Sequence, residues 1–488
     1  MRRVLTPLST VAAIAVFIAM RLWRLDGMAL DGDEIFSLEL ARHDWHGLFQ
    51  SAVQDAIHPP LLYILLKPWI ALGGDSLLWL RLFPVTASVL CLIPLFYLCR
   101  NLKISPAARN LAIVIVAVHP YALYYAQHVR MYELLMFLGL LSAWRFQVYL
   151  DQSSRRNLAI LAVINVFLVY TQYYAWCIVG LEFVYLLWCR RQVLPFLASA
   201  LPAALLFAPW AYAAGQVLHQ RGLAQNLGWI QKPTFGELNW FWVDLTGFSE
   251  FQSIGMRGTI AILLIFLIAY RRAKEPDVHW LMLLWIAPAP LAFIASQYLP
   301  QSIWGHRHLL FAIWPFAILL ADSVVRMPRW FSIPVIALTG VWAVHAAQFH
   351  ATDNRKLAYD TLTWNMVDSS PRNATGRIPV YAIDPYLHYP IGFYLDALKT
   401  HRLGPFGPMI NDTTSYVEEK AQRFDSIKTD TIDQVKGSYF WVGYTDQSWH
   451  DPKTPVQILE ARGCHTAGPE ISERDSFHRV ILVPMECP

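Results

Sequence analysis

Apolar runs follow one another through the first 350 residues of this 488-residue chain. A helix needs about 20 mainly apolar residues to cross the hydrocarbon core of a bilayer. Because 56% of the residues are hydrophobic and only 15% are charged, a water-soluble fold would leave more apolar surface than one core could bury. The sequence therefore predicts an all-α polytopic membrane bundle of about eleven transmembrane helices. The predicted spans are 5–23, 78–99, 110–127, 131–150, 158–174, 175–189, 194–213, 257–270, 279–298, 308–323 and 331–348.

Short Lys/Arg clusters beside these runs predict the topology, because such clusters favour the cytoplasmic side. All of these clusters fall on the same side of the membrane if the short apolar segment 60–72 does not cross it. This segment contains Lys67 and Pro68. We therefore place residues 26–77 outside, with 60–72 in the interface or re-entrant against the bundle. The net charge of +4 is small, and the positive charges lie in short Lys/Arg clusters beside the apolar runs, so no nucleic-acid partner is predicted.

The last 140 or so residues, a normal size for a domain, differ in composition from the rest. Hydropathy falls and Asp, Thr, Lys and Gly become more frequent. We predict a transmembrane domain at 1–349 and an extramembrane α/β or α+β domain at 350–488, on the same outer side as residues 26–77. Strand-like runs lie at 379–383, 439–442 and 479–483, with a helical pattern near 412–424.

Two of the six cysteines, Cys464 and Cys487, lie in polar sequence. They would pair if the C-terminal domain faces an oxidising compartment, and the sequence leaves the paired and reduced alternatives open. The cysteines in apolar segments are interpreted as small buried residues.

Acidic residues gather directly after the first predicted span. Asp33 and Glu34 are adjacent, and carboxylates at the rim of a membrane core are costly to keep there, which favours a catalytic role. One of the pair can take a proton while the other holds a hydroxyl or a cation. The alternative is a helix N-terminus, where acidic residues ahead of the helical pattern at 35–40 would favour the helix dipole.

A second polar group follows at Asp55 and His58. Pro59 and Pro60 would end the preceding helix and fix the direction of His58, although Pro is also common at an ordinary helix start. Three carboxylates do not by themselves make a metal site, so no cofactor is assigned and a divalent cation stays an open alternative.

Two arginines lie on the predicted outer side. Arg130 and Arg307 can each clamp a phosphate through paired hydrogen bonds, or else extend toward lipid headgroups. Two arginines on one face favour the phosphate site. Trp229, Trp240, Trp242 and Asp244, together with the turn at 171–174, either bind a sugar or form an aromatic belt. The predicted substrate-binding residues are Asp55, His58, Gln127, Arg130, Tyr132, Gln172, Tyr173, His306, Arg307 and His308.

These features, in this order, resemble those of the GT-C superfamily of membrane glycosyltransferases, in the branch of protein O-mannosyltransferases, aminoarabinose transferases and their bacterial relatives. The resemblance covers residues 1–350. Relatives often have an acidic residue at the place of His128, His at Gln172 and Tyr at His308. The matching segments are Asp33-Glu34, Asp55-x-x-His58-Pro59-Pro60-Leu61, Leu80-Arg81-Leu82-Phe83-Pro84, Gln127-x-x-Arg130-Met131-Tyr132, Thr171-Gln172-Tyr173-Tyr174 and Gly305-His306-Arg307-His308-Leu309-Leu310.

The resemblance implies a hexosyl- or pentosyltransferase that uses a polyprenyl-phosphate-linked sugar as donor and inverts the anomeric carbon. Asp33 would accept the proton of the acceptor hydroxyl, Glu34 would position the acceptor or the sugar, and Arg130 and Arg307 would bind the polyprenyl phosphate. The acceptor would be an envelope glycolipid, polysaccharide or protein. The expected location is a bacterial inner membrane, with the N-terminus cytoplasmic and the active site and C-terminal domain periplasmic.

Two other classes of function are weighed against this one. A transporter or lipid-linked sugar flippase would need ionisable residues near the bilayer midplane and broken or repeated helices, whereas the charges here gather at one rim and no repeat is visible. A non-catalytic envelope scaffold would leave the acidic first loop without a purpose.

Overall fold

The computed structural model describes most of the chain. Its residues divide into two compact units, of which unit 1 comprises Met1–Trp23, Arg42–Leu66 and Leu82–Ala351, and unit 2 comprises Arg24–Ala41, Lys67–Arg81 and Thr352–Pro488. The predicted span 257–270 lies outside the described residues, as do most of 331–348 and of 412–424. The described residues are 2–25, 27–221, 230–246, 278–330, short pieces between 332 and 344, 358–371, 376–383, 385–400, 420–429, 431–446, 453–474 and 479–488.

Helices dominate the described residues up to Arg326. They are, in chain order, α1 (Arg2–Leu22), α2 (Gly32–Arg42), α3 (Trp45–Asp55), α4 (Leu61–Gly73), α5 (Leu77–Leu90), α6 (Leu92–Asn101), α7 (Pro106–Val118), α8 (Pro120–Ala126), α9 (Tyr132–Asp151), α10 (Arg155–Val169), α11 (Ala175–Trp188), α12 (Val193–Arg221), α13 (Phe235–Thr246), α14 (His279–Ile286), α15 (Pro288–Tyr298), a 3₁₀ helix (His306–Ala312) and α16 (Ile313–Arg326).

Several helical stretches are long and apolar enough to cross a membrane. Over the described residues there are four, or five if the bent pair α7 and α8, which meet at 69°, forms one span. The predicted total of eleven therefore stays a prediction. Segment 60–72 forms the 13-residue helix α4, which is shorter than a full crossing, and its interfacial position also stays a prediction. The four are Leu77–Asn101, Val193–Gln220, His279–Tyr298 and His306–Arg326.

The bend between α7 and α8 has an identifiable cause. Pro120 has no N–H, so it cannot donate the helical hydrogen bond to the carbonyl of Val116. The buried Arg21 side chain of α1 supplies the missing donors: its guanidinium donates to the carbonyls of Val116 and Ala117, each at 3.1 Å. Its Nε also donates to the Ser88 hydroxyl at 2.9 Å. A charged side chain thus satisfies backbone groups that lipid could not.

The C-terminal part of unit 2 is a mixed sheet flanked by helices, which agrees with the predicted small α/β or α+β domain. Helix α17 (Tyr359–Ser369) precedes the sheet, α18 (Pro385–Thr400) connects two parallel strands, and α19 (Pro455–Glu460) follows β3. The strand order is β2-β1-β3-β6-β4, with β5 also paired to β6. The three predicted strands are confirmed as β1, β3 and β6. The strands are β1 (Ile378–Ala382), β2 (Phe424–Lys428), β3 (Tyr439–Thr445), β4 (His465–Thr466), β5 (Ile471–Arg474) and β6 (Arg479–Glu486).

Cys464 and Cys487 form a disulfide beside this sheet, with their Cα atoms 4.1 Å apart. The sequence left this pairing open. The bond closes a loop whose ends are 23 positions apart and adjoins the apolar cluster that includes Phe440, Val442 and Met485. It therefore ties the last strand of the sheet to the chain ahead of β4.

Replacing both disulfide cysteines by serine is expected to lower the stability of the sheet by about 3 kcal/mol, because the unfolded chain regains the freedom of the open loop. Thermal unfolding in detergent, with and without reductant, measures the effect. The wild type should melt at a lower temperature after reduction, and the double variant should melt low in both conditions. Cys189→Ser, at an exposed free cysteine, is the control. Wild-type protein whose Cys464 and Cys487 both react with maleimide before reduction would contradict the pairing.

Candidate active site

The acidic motif of unit 2 forms the first turn of α2. Asp31 is the N-cap: its Oδ1 accepts from the Glu34 amide at 2.9 Å, and Glu34 Oε2 accepts from the Asp31 amide at 3.0 Å. This reciprocal capping box is the helix-start alternative that the sequence left open. Glu34 is fully buried, whereas Asp33 lies outside the box and is half-buried. The two carboxylates therefore differ in their contacts, because only that of Glu34 belongs to the capping box. The catalytic roles of Asp33 and Glu34 stay predictions.

His58 lies at the corner between α3 and α4 in unit 1. Ala56 ends α3 in the left-handed conformation, with φ 57°, and its carbonyl accepts from the Tyr173 hydroxyl at 3.0 Å. Past the two prolines, the Leu61 amide donates to the carbonyl of Tyr170 at 3.1 Å. The corner is therefore fixed from both sides, as the Pro-Pro pair predicted. His58 is 6% exposed, and its Nδ1 has no hydrogen-bond partner among the described residues.

Both predicted phosphate-binding arginines act on His58. Burial lowers the pKa of His58 well below its usual range, and the charges of Arg130, His308 and Arg307 lower it further. Arg130 is itself only 4% exposed. The positive charges of the two arginines thus disfavour a proton on the buried His58, and positive charge of this kind favours an anion nearby.

Aromatic rings surround the His308 imidazole. Tyr174 stacks on it with centroids 5.3 Å apart, while Tyr132 and His58 lie at 6.1 Å. The Gln172 amide nitrogen contacts His308 Nδ1. The structure thus brings together His58, Tyr132, Gln172 and His308, four of the predicted substrate-binding residues, in one cluster.

The turn ahead of α16 positions Arg307 between two constrained histidines. His306 Nδ1 lies 2.6 Å from Asp244 Oδ2, so Asp244 holds this turn. The sequence had placed Asp244 in a group that would either bind a sugar or form an aromatic belt. A Cβ on Gly305 would lie 2.7 Å from His308 Cδ2, and only glycine leaves room for the ring. Residues on both sides of Arg307 therefore limit its movement.

Other predicted substrate-binding residues have local structural contacts. The Gln127 amide group donates to the carbonyls of Arg21 and Trp23, at 2.9 and 2.8 Å, and so fixes the end of α1. The Tyr173 hydroxyl, which donates to the corner at Ala56, also accepts from the Trp210 indole at 3.1 Å. Asp55, the last residue of α3, is half-buried beside this corner. The substrate contacts of Gln127, Tyr173 and Asp55 stay predictions.

Sequence reasoning placed Tyr174 in a turn that would either bind a sugar or form part of an aromatic belt, but it did not predict the contact of Tyr174 with His308. It missed Trp210, which lies inside a long apolar helix with no local signal. Trp242 packs on Phe241 and Trp285, and Trp229 lies outside the described residues, so the sugar-binding role of these tryptophans stays a prediction.

The neutral state of His58 predicts a pH dependence of stability. Because its folded-state pKa is depressed, the unfolded chain takes up a proton below about pH 6.5 that the folded chain does not, and stability falls as the pH falls. His58→Gln should therefore flatten the decline of the melting temperature between about pH 7 and pH 5. His46→Gln, at an exposed histidine, should leave the slope as in the wild type. Equal slopes for both variants would contradict the assignment.

Comparison with known proteins identifies the fold. No protein-family model matches the sequence, and no curated protein matches it. The structure of ArnT from Cupriavidus metallidurans bound to undecaprenyl phosphate matches with a TM-score of 0.57 and 12% identity, over 98% of this chain and 97% of that one. The apo ArnT structure matches with a TM-score of 0.58 and 12% identity, over 97% of each chain. Identity at this level shows the fold alone. The chain thus shares the fold of ArnT, as its sequence motifs predicted.

Proposed function

We propose that this protein is a membrane glycosyltransferase that moves a sugar from a polyprenyl-phosphate-linked donor to a hydroxyl of an envelope glycolipid, polysaccharide or protein. The observation that carries the proposal is the cluster of His58, Tyr132, Gln172 and His308, which adjoins Arg307 in the chain. Arg130 lies near enough for its charge to lower the pKa of His58. A polyprenyl phosphate has the anionic group that arginine side chains bind. The shared fold adds support, since ArnT has been crystallised with undecaprenyl phosphate.

The proposed reaction is a single inverting displacement at the anomeric carbon. The acceptor oxygen forms the new bond to this carbon, and the bond to the phosphate oxygen breaks with its electron pair leaving on the phosphate. Arg130 and Arg307 stabilise the charge that grows on this leaving group. Asp33 takes the proton of the acceptor hydroxyl as general base. Glu34, through its capping bond to Asp31, orients the turn that carries Asp33.

The remaining residues of the cluster are assigned to donor binding. His58 presents a neutral imidazole whose Nδ1 is available for a hydrogen bond to the sugar or the phosphate. Tyr132 and Tyr174 hold the His308 ring by stacking and edge contacts, and they offer aromatic faces of the kind that sugars pack against.

The proposed location is the bacterial inner membrane, with the C-terminal domain in the periplasm. The Cys464–Cys487 disulfide supports this placement, because disulfides persist in oxidising compartments such as the periplasm and are rare in the cytosol. The positive-inside pattern of the sequence supports the same topology.

Binding of the lipid phosphate tests the phosphate site directly. Purified protein in nanodiscs is titrated with undecaprenyl phosphate, and with undecaprenol of equal chain length as the matched control. The phosphate should bind at least about tenfold more tightly, since a charge-assisted bidentate contact exceeds about 1.4 kcal/mol. Equal binding of the two lipids would remove the basis of the proposal and favour a transporter that recognises its cargo in another way.

A further inference from the structure

The loop that leads to Asp33 is held by a side chain far away in the sequence, within unit 2. The Tyr394 hydroxyl accepts from the Leu30 amide at 2.7 Å and donates to the Leu30 carbonyl at 3.2 Å. Tyr394 lies on α18 and is 2% exposed, and Leu30 is 1% exposed. One hydroxyl therefore satisfies both backbone groups of Leu30, three residues before Asp33.

A second buried side chain fixes the two preceding residues. Arg81 is fully buried, and its Nη2 donates to the carbonyls of Met28 and Ala29 at 2.7 and 3.1 Å. Asp360, at the start of α17, is also buried: burial raises its pKa, and the charge of Arg81 is among the effects that lower it. The C-terminal part of the chain thus supplies the Tyr394 hydroxyl that holds this loop and the buried carboxyl of Asp360, whose pKa the charge of Arg81 lowers.

The hydroxyl keeps its proton at physiological pH. Burial raises the pKa of Tyr394 well above its usual range, and Asp360 raises it further. Both hydrogen bonds to Leu30 therefore persist over the pH range in which a transferase would work. Beyond Leu30 the capping box of Asp31 and Glu34 continues the constraint to the first turn of α2.

We infer that Tyr394 and Arg81 are positioning residues for Asp33, and that the C-terminal domain serves catalysis by holding Leu30 in place through Tyr394. The inference rests on the proposed function for its catalytic meaning. Misplacement of a catalytic group by about 1 Å can cost up to about 100-fold in rate, so a hydroxyl distant from the reacting atoms can still set the turnover.

The test compares Tyr394→Phe with Tyr381→Phe. Both variants remove one buried hydroxyl that contacts backbone in unit 2, but the Tyr381 hydroxyl donates to the Lys436 carbonyl at 2.6 Å, away from this loop. Hydrogen exchange of residues 28–36, together with kcat and KM for the lipid-linked donor, is measured for each. We expect Tyr394→Phe to raise exchange at Leu30 to Glu34 and to lower kcat about tenfold or more with KM unchanged. Tyr381→Phe should change none of these.

The readouts distinguish the possible failures. If residues 28–36 of the Tyr394→Phe variant exchange hydrogen at the same rate as in the wild type, the inference is overturned. A lower kcat without a change in the exchange rate would also overturn it. If Tyr394→Phe exchanges hydrogen faster but the wild type transfers no sugar, the result supports the contact of Tyr394 with the loop and overturns the proposed function. If Tyr394→Phe does not fold, Arg81→Lys takes its place, because it keeps the charge but loses the geometry that reaches both carbonyls.

Discussion

Replacing Asp33 by asparagine is expected to lower kcat by about 10²–10⁴-fold, the usual contribution of a general base, while the dissociation constant of the lipid-linked donor stays as in the wild type. The amide keeps the size of the carboxylate but cannot accept the proton of the acceptor hydroxyl. The helix start should survive, because the capping box that begins α2 is made by Asp31 and Glu34 and not by Asp33.

A matched control for this substitution is Asp368→Asn, an exposed carboxylate in the same unit, which should keep wild-type turnover. Turnover is followed with labelled donor, and binding by titration in nanodiscs. An Asp33→Asn variant that works at the wild-type rate would exclude Asp33 as the base. Loss of donor binding together with turnover would instead assign Asp33 to the substrate site.

The second large effect is expected at the two arginines. Arg130→Gln or Arg307→Gln should each lower kcat/KM by about 10²–10³-fold, because each removes a donor aimed at the charge that develops on the leaving phosphate. Lysine should not rescue either position, since it lacks the fork that binds a phosphate bidentately. The loss of kcat/KM in the double variant should be smaller than the product of the two single losses, because the effects of residues that act as one unit are not additive.

Two controls belong to the arginine experiment. Arg329→Gln, at an exposed arginine, should keep wild-type kinetics. The pKa of His58 should rise in Arg130→Gln, because the charge that lowers it is gone, and this shift can be followed by NMR independently of activity. Unchanged kinetics in both single variants would refute the phosphate clamp even if the shift of His58 is seen.

Local patterns in the sequence were enough to predict much of this fold. Long apolar runs predicted helices of the bundle, and short strand-like runs predicted β1, β3 and β6. The Pro-Pro pair likewise predicted the fixed corner at His58. The motif order predicted the GT-C fold, which the ArnT structures confirm.

Contacts between distant residues could not be predicted in the same way. The hydrogen bond between Tyr394 and Leu30 joins positions 364 residues apart, and nothing in the sequence around either residue predicts it. Pairing of Cys464 with Cys487 depends on a Cα separation that only the folded sheet supplies. The two interpretations of Asp33-Glu34 were both reasonable because the same acidic residues suit a helix start and a catalytic pair; the capping box shows that Glu34 serves the former.

Sugar transfer by the purified wild-type protein decides whether the protein is a glycosyltransferase. Protein in nanodiscs is incubated with a panel of radiolabelled polyprenyl-phosphate sugars and envelope extract as acceptor. Label from one donor should move to the acceptor, and one polyprenyl phosphate should be released for each sugar transferred. If a correctly folded wild type binds and consumes none of the donors, the glycosyltransferase proposal fails and the transporter alternative is favoured.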